Sequence, residues 1–214
     1  MKREDMEQVF DSKYLRVFDL QKEAGTHYYN ATRRDLEHVV AAKSEEEFKA
    51  MLPDAVTCIV ILDKPGEEAK LLMSYEYRYP VGQYLLSPPA GLIDPEDCGE
   101  GDPVLTAAVR ELEEETGLKP TEKDTVKAVN HLLFSTPGMT DESNALVCVV
   151  LHDLKGLTQE GAVGAERFDG FEFIDKNRAK ELLKNGCDKN GIFYSVYTWA
   201  ALIYFATDLW KSEE

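Results

Sequence analysis

Three glutamates that lie close together in the sequence could form a binding site for a hard cation. Glu111, Glu114 and Glu115 occur in the segment RELEEETGL. On an α-helix, residues three and four positions apart share a face, so this spacing would bring the three carboxylates together. Carboxylate oxygens are ligands that Mg²⁺ prefers. The alternative is an ordinary solvated acidic face, because exposed like charges on a helix cost only about 0.2–0.5 kcal/mol per pair.

The segment that contains these glutamates has the signals of a complete helix. Asp102 can cap the N-terminus, and Pro103 can occupy the first turn. Gly117 can supply the left-handed residue that ends the helix. We predict that the acidic face lies away from an apolar stripe. The stripe consists of Leu105, Ala108 and Leu112.

Residues 110–118 match a known motif. They fit the second half of the Nudix box, G-x5-E-x7-R-E-U-x-E-E-x-G-U, in which U is a bulky apolar residue. The chain therefore resembles the Nudix hydrolases. In the first half of the box, Gly91 matches, but Asp102 stands in the place of the glutamate, and ten residues rather than five separate the two. We therefore predict an insertion at residues 94–101 and assign Asp102 no catalytic role.

The resemblance implies a metal site on this helix. It assigns the metal to the carboxylates of Glu111, Glu114 and Glu115 and to the backbone carbonyl of Ala90. The implied cofactor is Mg²⁺, with Mn²⁺ as the alternative. Arg110 is implied to hold the box carboxylates by ion pairing, so it enters the catalytic set as an orienting residue, together with Glu115.

The flanking segments resemble the ADP-ribose pyrophosphatase branch of the family. The stretches that carry this resemblance are HYYNATR, YEYRYPVGQYLLSPPAGLID and STPGMTDES. It implies Mg-dependent hydrolysis of the pyrophosphate bond of ADP-ribose or a related nucleoside diphosphate sugar, giving a nucleoside monophosphate and a sugar phosphate. The alternatives are a Nudix hydrolase of dinucleoside polyphosphates or nucleoside triphosphates, and a non-catalytic nucleotide-sugar-binding module.

Four residues receive roles from this resemblance. Arg78 would contact phosphate, Tyr28 would stack on adenine, and Arg33 would contact the nucleotide. Glu142 is the candidate general base, because it lies on a loop outside the metal helix and could approach the water from another side. The alternatives are a surface ion pair for Arg78, strand packing for Tyr28, and solvated charges for Arg33 and Glu142. The competing bases are Glu115, Glu166 and Glu172.

The rest of the pattern predicts a mixed α/β fold. Aromatic and β-branched residues at 14–20 and 27–33 predict an N-terminal hairpin, and residues 36–42 a further strand. Later strands are predicted at 55–62, 69–75, 126–134, 144–152 and 171–174, and a helix at 177–184. The resemblance implies a Nudix-like mixed sheet sandwiched between helices. Residues 1–43 would form an N-terminal β extension that could serve in dimerisation, and residues 44–214 the hydrolase domain with a C-terminal helix.

Composition and charge limit the classes of partner. The chain has 214 residues and a formal net charge of −16. This acidity argues against binding to nucleic acid or to anionic membranes, which requires basic patches. The apolar run at 192–210 is predicted to be a buried helix rather than a membrane anchor, because Ser, Thr and Tyr residues dilute it.

The cysteines and the N-terminus point to a cellular compartment. Four cysteines without a C-x-x-C pair are typical of reduced thiols in a cytoplasmic protein. The charged N-terminus lacks the apolar core of a signal peptide. The predicted partners are therefore a small-molecule nucleotide sugar and, as the resemblance implies, a second copy in a homodimer.

Overall fold

The computed structural model describes residues 1–23, 25–161 and 166–211. The chain groups into two compact units, Met1–Asp54 with Leu132–Asn144 and Ala55–His131 with Ala145–Glu214. The N-terminal extension expected from the sequence ends at residue 43. The first unit also contains a short helix, α1 (Glu45–Lys49), and the loop with Glu142.

The first unit is built on an antiparallel three-stranded sheet. Its strands, in spatial order, are β1 (Met6–Asp11), β2 (Arg16–Leu20) and β3 (Tyr28–Thr32). Phe18 is fully buried and packs with Met6 and Val39 in a small apolar core. The N-terminal hairpin predicted from the sequence is confirmed by the pairing of β2 with β3.

The strand predicted at residues 36–42 is wrong. The chain turns here and forms a short 3₁₀ helix at Val40–Ala42. Asp35 explains the difference: its carboxylate accepts the backbone N–H of His38, and its carbonyl accepts the N–H groups of His38 and Val39. These bonds close a turn that competes with an extended strand.

The larger sheet is mixed and has seven strands. They are β4 (Ala55–Leu62), β5 (Lys70–Arg78), β6 (Gln83–Ser87), β7 (Ala90–Leu92), β8 (Thr125–Phe134), β9 (Ser143–Leu151) and β10 (Phe168–Ile174). Five of them follow the order β10–β5–β4–β9–β8, while β6 pairs with β5 and β7 pairs with β4.

Helices cover both faces of this sheet, as predicted. They are α2 (Pro103–Thr116), α3 (Lys176–Asn185) and α4 (Val196–Ala206). Because side chains alternate along a strand, β4 serves two cores. Val60 packs with Leu112 of α2 on one face, and Ile59 packs with Leu182 of α3 and Phe205 of α4 on the other.

Helix α4 is the predicted C-terminal helix, but it is shorter than the apolar run that contains it. Ser195 caps its N-terminus, because the Ser195 hydroxyl accepts the backbone N–H of Thr198. The helix contributes Ala201, Leu202 and Phe205 to the core. No helix in the described part of the chain is long and apolar enough to cross a membrane.

Candidate active site

Helix α2 buries two of its three candidate glutamates. Glu111 and Glu115 are 6% and 2% exposed, whereas Glu114 is half-buried. The solvated acidic face is therefore excluded for the two buried residues. Burial disfavours the charged form of a carboxyl group, and it raises the pKa of Glu111 to about 7 and the pKa of Glu115 well above its ordinary value.

The helix ends fix the position of these carboxylates. Asp102 caps the N-terminus, since its carboxylate accepts the backbone N–H of Val104 at 2.9 Å. Gly117 ends the helix in the left-handed conformation with φ 68°. The buried stripe differs from the predicted one, because Leu105 is only partly buried and Ala107 is fully buried in its stead.

Strand β7 lies directly against the two buried glutamates. The backbone N–H of Ala90 donates to Glu115 Oε1 at 3.2 Å. A Cβ atom on Gly91 would lie 2.0 Å from the Glu111 carboxyl group, so the carboxylate occupies the space that a side chain would need. Any larger residue at this position would displace the Glu111 carboxylate.

Arg110 makes several contacts around the buried carboxylates. Its Nη1 donates to Glu111 at 2.9 Å and to Glu114 at 3.3 Å. Its Nη2 donates to the backbone carbonyl of Leu92 at 2.8 Å. The orienting role predicted for Arg110 thus has the contacts that it requires.

Asp97 is a further partner of Arg110. The pair is bidentate, with Nε to Oδ1 at 3.1 Å and Nη2 to Oδ2 at 2.8 Å. Asp97 is buried, and the hydrogen bonds from Arg110 lower the pKa of its carboxyl group. A two-point pair of this kind is the strongest geometry for an arginine and a carboxylate.

Strand β5 brings Arg78 and Glu76 to the same face of the sheet as α2. Leu72 of β5 packs with α2, and residues two positions apart share a face, so Glu76 and Arg78 follow on that side. Arg78 Nη2 lies 2.5 Å from Glu76 Oε2. The predicted alternative of an ion pair is therefore present, although its carboxylate is buried rather than on the surface. Sequence reasoning missed Glu76; the alternation along β5 was the available signal.

Glu166 is coupled electrostatically with the acidic helix. After burial, the charge of Glu166 is among the causes that raise the pKa values of Glu111 and Glu115. It also raises the pKa of Glu76, again after burial. This carboxylate therefore lies within electrostatic range of the candidate metal ligands.

The first unit brings together the three remaining predicted residues. Tyr28 donates its hydroxyl hydrogen to the carbonyl of Gly138 at 2.8 Å. Arg33 Nε donates to Glu142 at 3.3 Å, and both side chains are about half exposed. Strand β3 thus lies alongside the loop that contains Glu142, and Ala31 bridges to Thr140 in this loop.

This loop is tied down by a half-buried arginine. Arg34 Nη2 lies 2.7 Å from the Asp54 carboxylate, and its Nη1 donates to the carbonyl of Asp141 at 2.9 Å. The Asp54 carboxylate also accepts the backbone N–H of Ser143 at 2.8 Å. Both ends of the segment around Glu142 therefore have fixed partners.

A mainly apolar cavity of about 220 Å³ lies beside Tyr28 in the first unit. Tyr29, Phe134 and Met139 contribute to its walls, and Asp141 adds a carboxylate. Aromatic and apolar walls of this kind suit a planar base. The predicted stacking role of Tyr28 stays a prediction.

The sequence of this chain matches the model of one protein family. The family model of the NUDIX domain matches residues 51–194. The chain belongs to the Nudix family. This range contains β4 to β7, helix α2 with Arg110, and the loop with Glu142, whereas Tyr28 and Arg33 lie before it.

Three known proteins are similar to this Nudix chain. ADP-ribose pyrophosphatase of Saccharomyces cerevisiae is 30% identical over 123 residues, which cover 57% of this chain and 48% of that protein. ADP-sugar pyrophosphatase of Mus musculus is 32% identical over 104 residues, covering 49% and 44%. The chain spans about half the length of the curated relatives it matches. The crystal structure of an ADP compounds hydrolase matches the fold with a TM-score of 0.58 and 24% identity, covering 96% of this chain and 91% of that one.

The contacts of Asp97 favour a different register for the Nudix box. Five residues separate Gly91 from Asp97, which is the spacing of the box glycine and glutamate. Asp97 also pairs with Arg110, whereas Asp102 only caps the helix. We therefore place the extra residues after Asp97, which removes residues 94–97 from the insertion predicted at 94–101, and we propose Asp97 as the box carboxylate.

The residues present fit a divalent cation by their chemistry. Glu111 and Glu115 are carboxylates in a desolvated setting, where a nearby positive charge is needed to keep both ionised. Within the described residues, no group of three or more acidic, His or Cys side chains is arranged to hold a metal ion as it stands. Arg110 and the Ala90 N–H take up carboxylate oxygens in this arrangement. The carbonyl of Ala90 stays a prediction as a ligand.

If Asp97 is the box carboxylate, substitution of Asp97 should lower the free energy of unfolding more than substitution of Asp102. Because the folded pKa of Asp97 lies below its ordinary value, its ion pair stabilises the fold above about pH 4 and loses this contribution as the pH falls through the folded pKa. Asp97→Asn should lower the free energy of unfolding at pH 7 by about 2 kcal/mol, and the difference from wild type should narrow below about pH 4. Urea unfolding at several pH values measures this.

Asp102→Ala is the matched comparison. It removes only a helix cap and should cost about 1 kcal/mol. Asp97→Asn should also weaken Mn²⁺ binding in calorimetry, because Arg110 loses its anchor, whereas Asp102→Ala should leave it within about twofold. If Asp102→Ala weakened Mn²⁺ binding and Asp97→Asn did not, the box carboxylate would be Asp102.

Proposed function

We propose that this chain hydrolyses the pyrophosphate bond of ADP-ribose or a related nucleoside diphosphate sugar in the presence of a divalent cation. Water adds to one phosphorus, the bridging P–O bond breaks, and the products are a nucleoside monophosphate and a sugar phosphate. Two similar proteins are named for ADP-ribose and ADP-sugar pyrophosphatase activity, which supports this substrate class. The observation that carries the proposal is the burial of Glu111 and Glu115 on the box helix.

Mg²⁺ is the proposed cofactor, with Mn²⁺ as a substitute. Glu111, Glu114, Glu115 and the carbonyl of Ala90 would hold it. When bound, the cation would supply positive charge that neutralises the diphosphate oxygens and makes a water molecule more acidic. Arg110 keeps the carboxylates oriented and does not reach the substrate, because its guanidinium already contacts protein groups.

The remaining predicted residues would bind the substrate. Arg78 is proposed to contact the diphosphate, since a guanidinium can fork to two phosphate oxygens and its side chain is 43% exposed. Tyr28 is proposed to stack on the base, and the apolar cavity beside it supports this role. Arg33 is proposed to contact the nucleotide after exchanging its ion pair with Glu142.

The general base is one of two carboxylates. Glu142, the candidate from the sequence, pairs with Arg33, and this ion pair would have to open before Glu142 could accept a proton freely. Glu166 acts electrostatically on Glu111 and Glu115, which supports a place within range of the carboxylates that would hold the cation. We therefore assign the base to Glu166 and keep Glu142 as the alternative.

We also propose a homodimer in a reducing compartment. Val9, Phe10 and Tyr14 in and beside β1 and β2 are exposed, and a second copy could cover them. All four cysteines have free thiols, and Cys58 and Cys148 are buried, which supports a cytoplasmic location.

Product analysis tests the proposed function directly. The purified chain should convert ADP-ribose to AMP and ribose 5-phosphate with Mg²⁺ and should lose this activity in EDTA, because the buried carboxylates need the cation. Chromatography of reactions with ADP-ribose, ADP-glucose, UDP-glucose and diadenosine polyphosphates gives the preference. Release of pyrophosphate from a nucleoside triphosphate with ADP-ribose untouched would contradict the substrate class. Tight binding of ADP-ribose without hydrolysis would indicate a binding module.

A pair of substitutions tests the base. Glu166→Gln should lower kcat by about 100-fold or more, because a general base contributes a factor of this size, while Mn²⁺ affinity stays within about twofold. Glu142→Gln should lower kcat by less than about tenfold. Steady-state kinetics and Mn²⁺ calorimetry measure both effects.

Glu160→Gln is the control for this pair. Glu160 is an exposed carboxylate that the site does not use, so its substitution should leave kcat unchanged. A large loss of turnover in Glu142→Gln beside normal turnover in Glu166→Gln would return the role to Glu142.

A further inference from the structure

Strand β5 runs from the core into the active site along one face. Leu72 belongs to the apolar cluster that packs on α2, and Tyr75 belongs to the cluster on the opposite face. The alternation of a strand therefore places Glu76 and Arg78 on the α2 side. On this face of β5, the apolar side chain of Leu72 is followed by the carboxylate of Glu76 and the guanidinium of Arg78.

Glu76 is a buried carboxylate without an assigned role. The residue is 8% exposed, and the side chain of Arg78, its ion-pair partner, is 43% exposed. The carboxylate thus lies beneath the guanidinium and contacts it at 2.5 Å. A buried carboxylate costs free energy unless a positive partner offsets it, so the pair constrains the position of Arg78.

Glu76 also acts on the metal helix. Among the charged groups that raise the pKa of Glu115, after burial itself, Glu76 makes the largest contribution. The carboxylate that contacts Arg78 therefore lies within electrostatic range of Glu115.

We propose that Glu76 is a positioning residue that holds the Arg78 guanidinium over the diphosphate site. This inference rests on the proposed function, in which Arg78 contacts the substrate. The ion pair fixes the planar guanidinium in one orientation before the substrate arrives, which lowers the entropy lost on binding. Glu76 contacts the guanidinium from its buried side, so the exposed edge of the guanidinium stays available to phosphate oxygens.

A positioning role differs from two other roles in its consequences. A residue needed only for folding would not raise KM selectively in a folded variant. A direct metal ligand would change the number or affinity of bound cations. A residue that acts through Arg78 should instead have no effect once Arg78 is absent.

The test is a double-mutant cycle of Glu76→Gln and Arg78→Ala, with ADP-ribose as the substrate. Glu76→Gln should raise KM about tenfold with kcat within about threefold, because uniform binding is lost. The double variant should match Arg78→Ala in KM within about twofold. Glu76→Asp keeps the charge but withdraws the carboxylate from Arg78, so it should also raise KM. It provides the same test if Glu76→Gln does not fold.

Glu113→Gln is the control for this cycle. Glu113→Gln removes an exposed carboxylate from α2, and KM should not change. If the KM of the double variant rose by the product of the two single effects, Glu76 would act independently of Arg78, and the proposal would be overturned. The loss of a bound Mn²⁺ ion in calorimetry of Glu76→Gln would also overturn it. Turnover by wild type tests the proposed function separately. If wild type does not hydrolyse ADP-ribose, the same cycle is measured as ADP-ribose affinity in EDTA.

Discussion

The burial of two carboxylates on one helix is the constraint on which the rest of the site depends. Glu111 and Glu115 are removed from water, and each would be costly as an isolated anion. Protonation, a protein cation or a bound metal ion can each remove this cost. Arg110 supplies one cation from the protein, and its own position depends on Asp97. The site is therefore built to be more stable with a cation than without one.

The larger sheet brings the parts of this site together through backbone pairing and alternation. Strand β7 pairs with β4 and lies against α2, where Gly91 leaves room for the Glu111 carboxylate. Strand β5 adds Glu76 and Arg78 from the same face. The groups proposed to bind metal and substrate in this unit thus come from one helix and from two strands that both pair with β4. Leu72 of β5 shares a core with this helix.

Local sequence signals made helix α2 predictable, whereas the long-range contacts of its side chains could not be read from the sequence. Asp102 and Gly117 act within the helix they bound, so both could be inferred from the sequence. The register of the box depends on the contact of Asp97 with Arg110, which only the folded loop creates. Residues 36–42 form a turn rather than the predicted strand, because the hydrogen bond from the His38 N–H to the Asp35 carboxylate stabilises the turn more than β propensity favours a strand.

Thermal unfolding at pH 8 with and without Mg²⁺, for wild type and Glu115→Gln, measures most directly whether the buried carboxylates depend on a cation. At 100 times the dissociation constant, Mg²⁺ should add about 2.7 kcal/mol to wild-type stability and raise Tm by about 5–10 °C. Glu115→Gln should be at least as stable as wild type in EDTA, because it removes a buried acid, and should respond weakly to Mg²⁺. If Mg²⁺ did not stabilise wild type, or if Glu115→Gln were less stable than wild type in EDTA, the buried carboxylates would not depend on a cation.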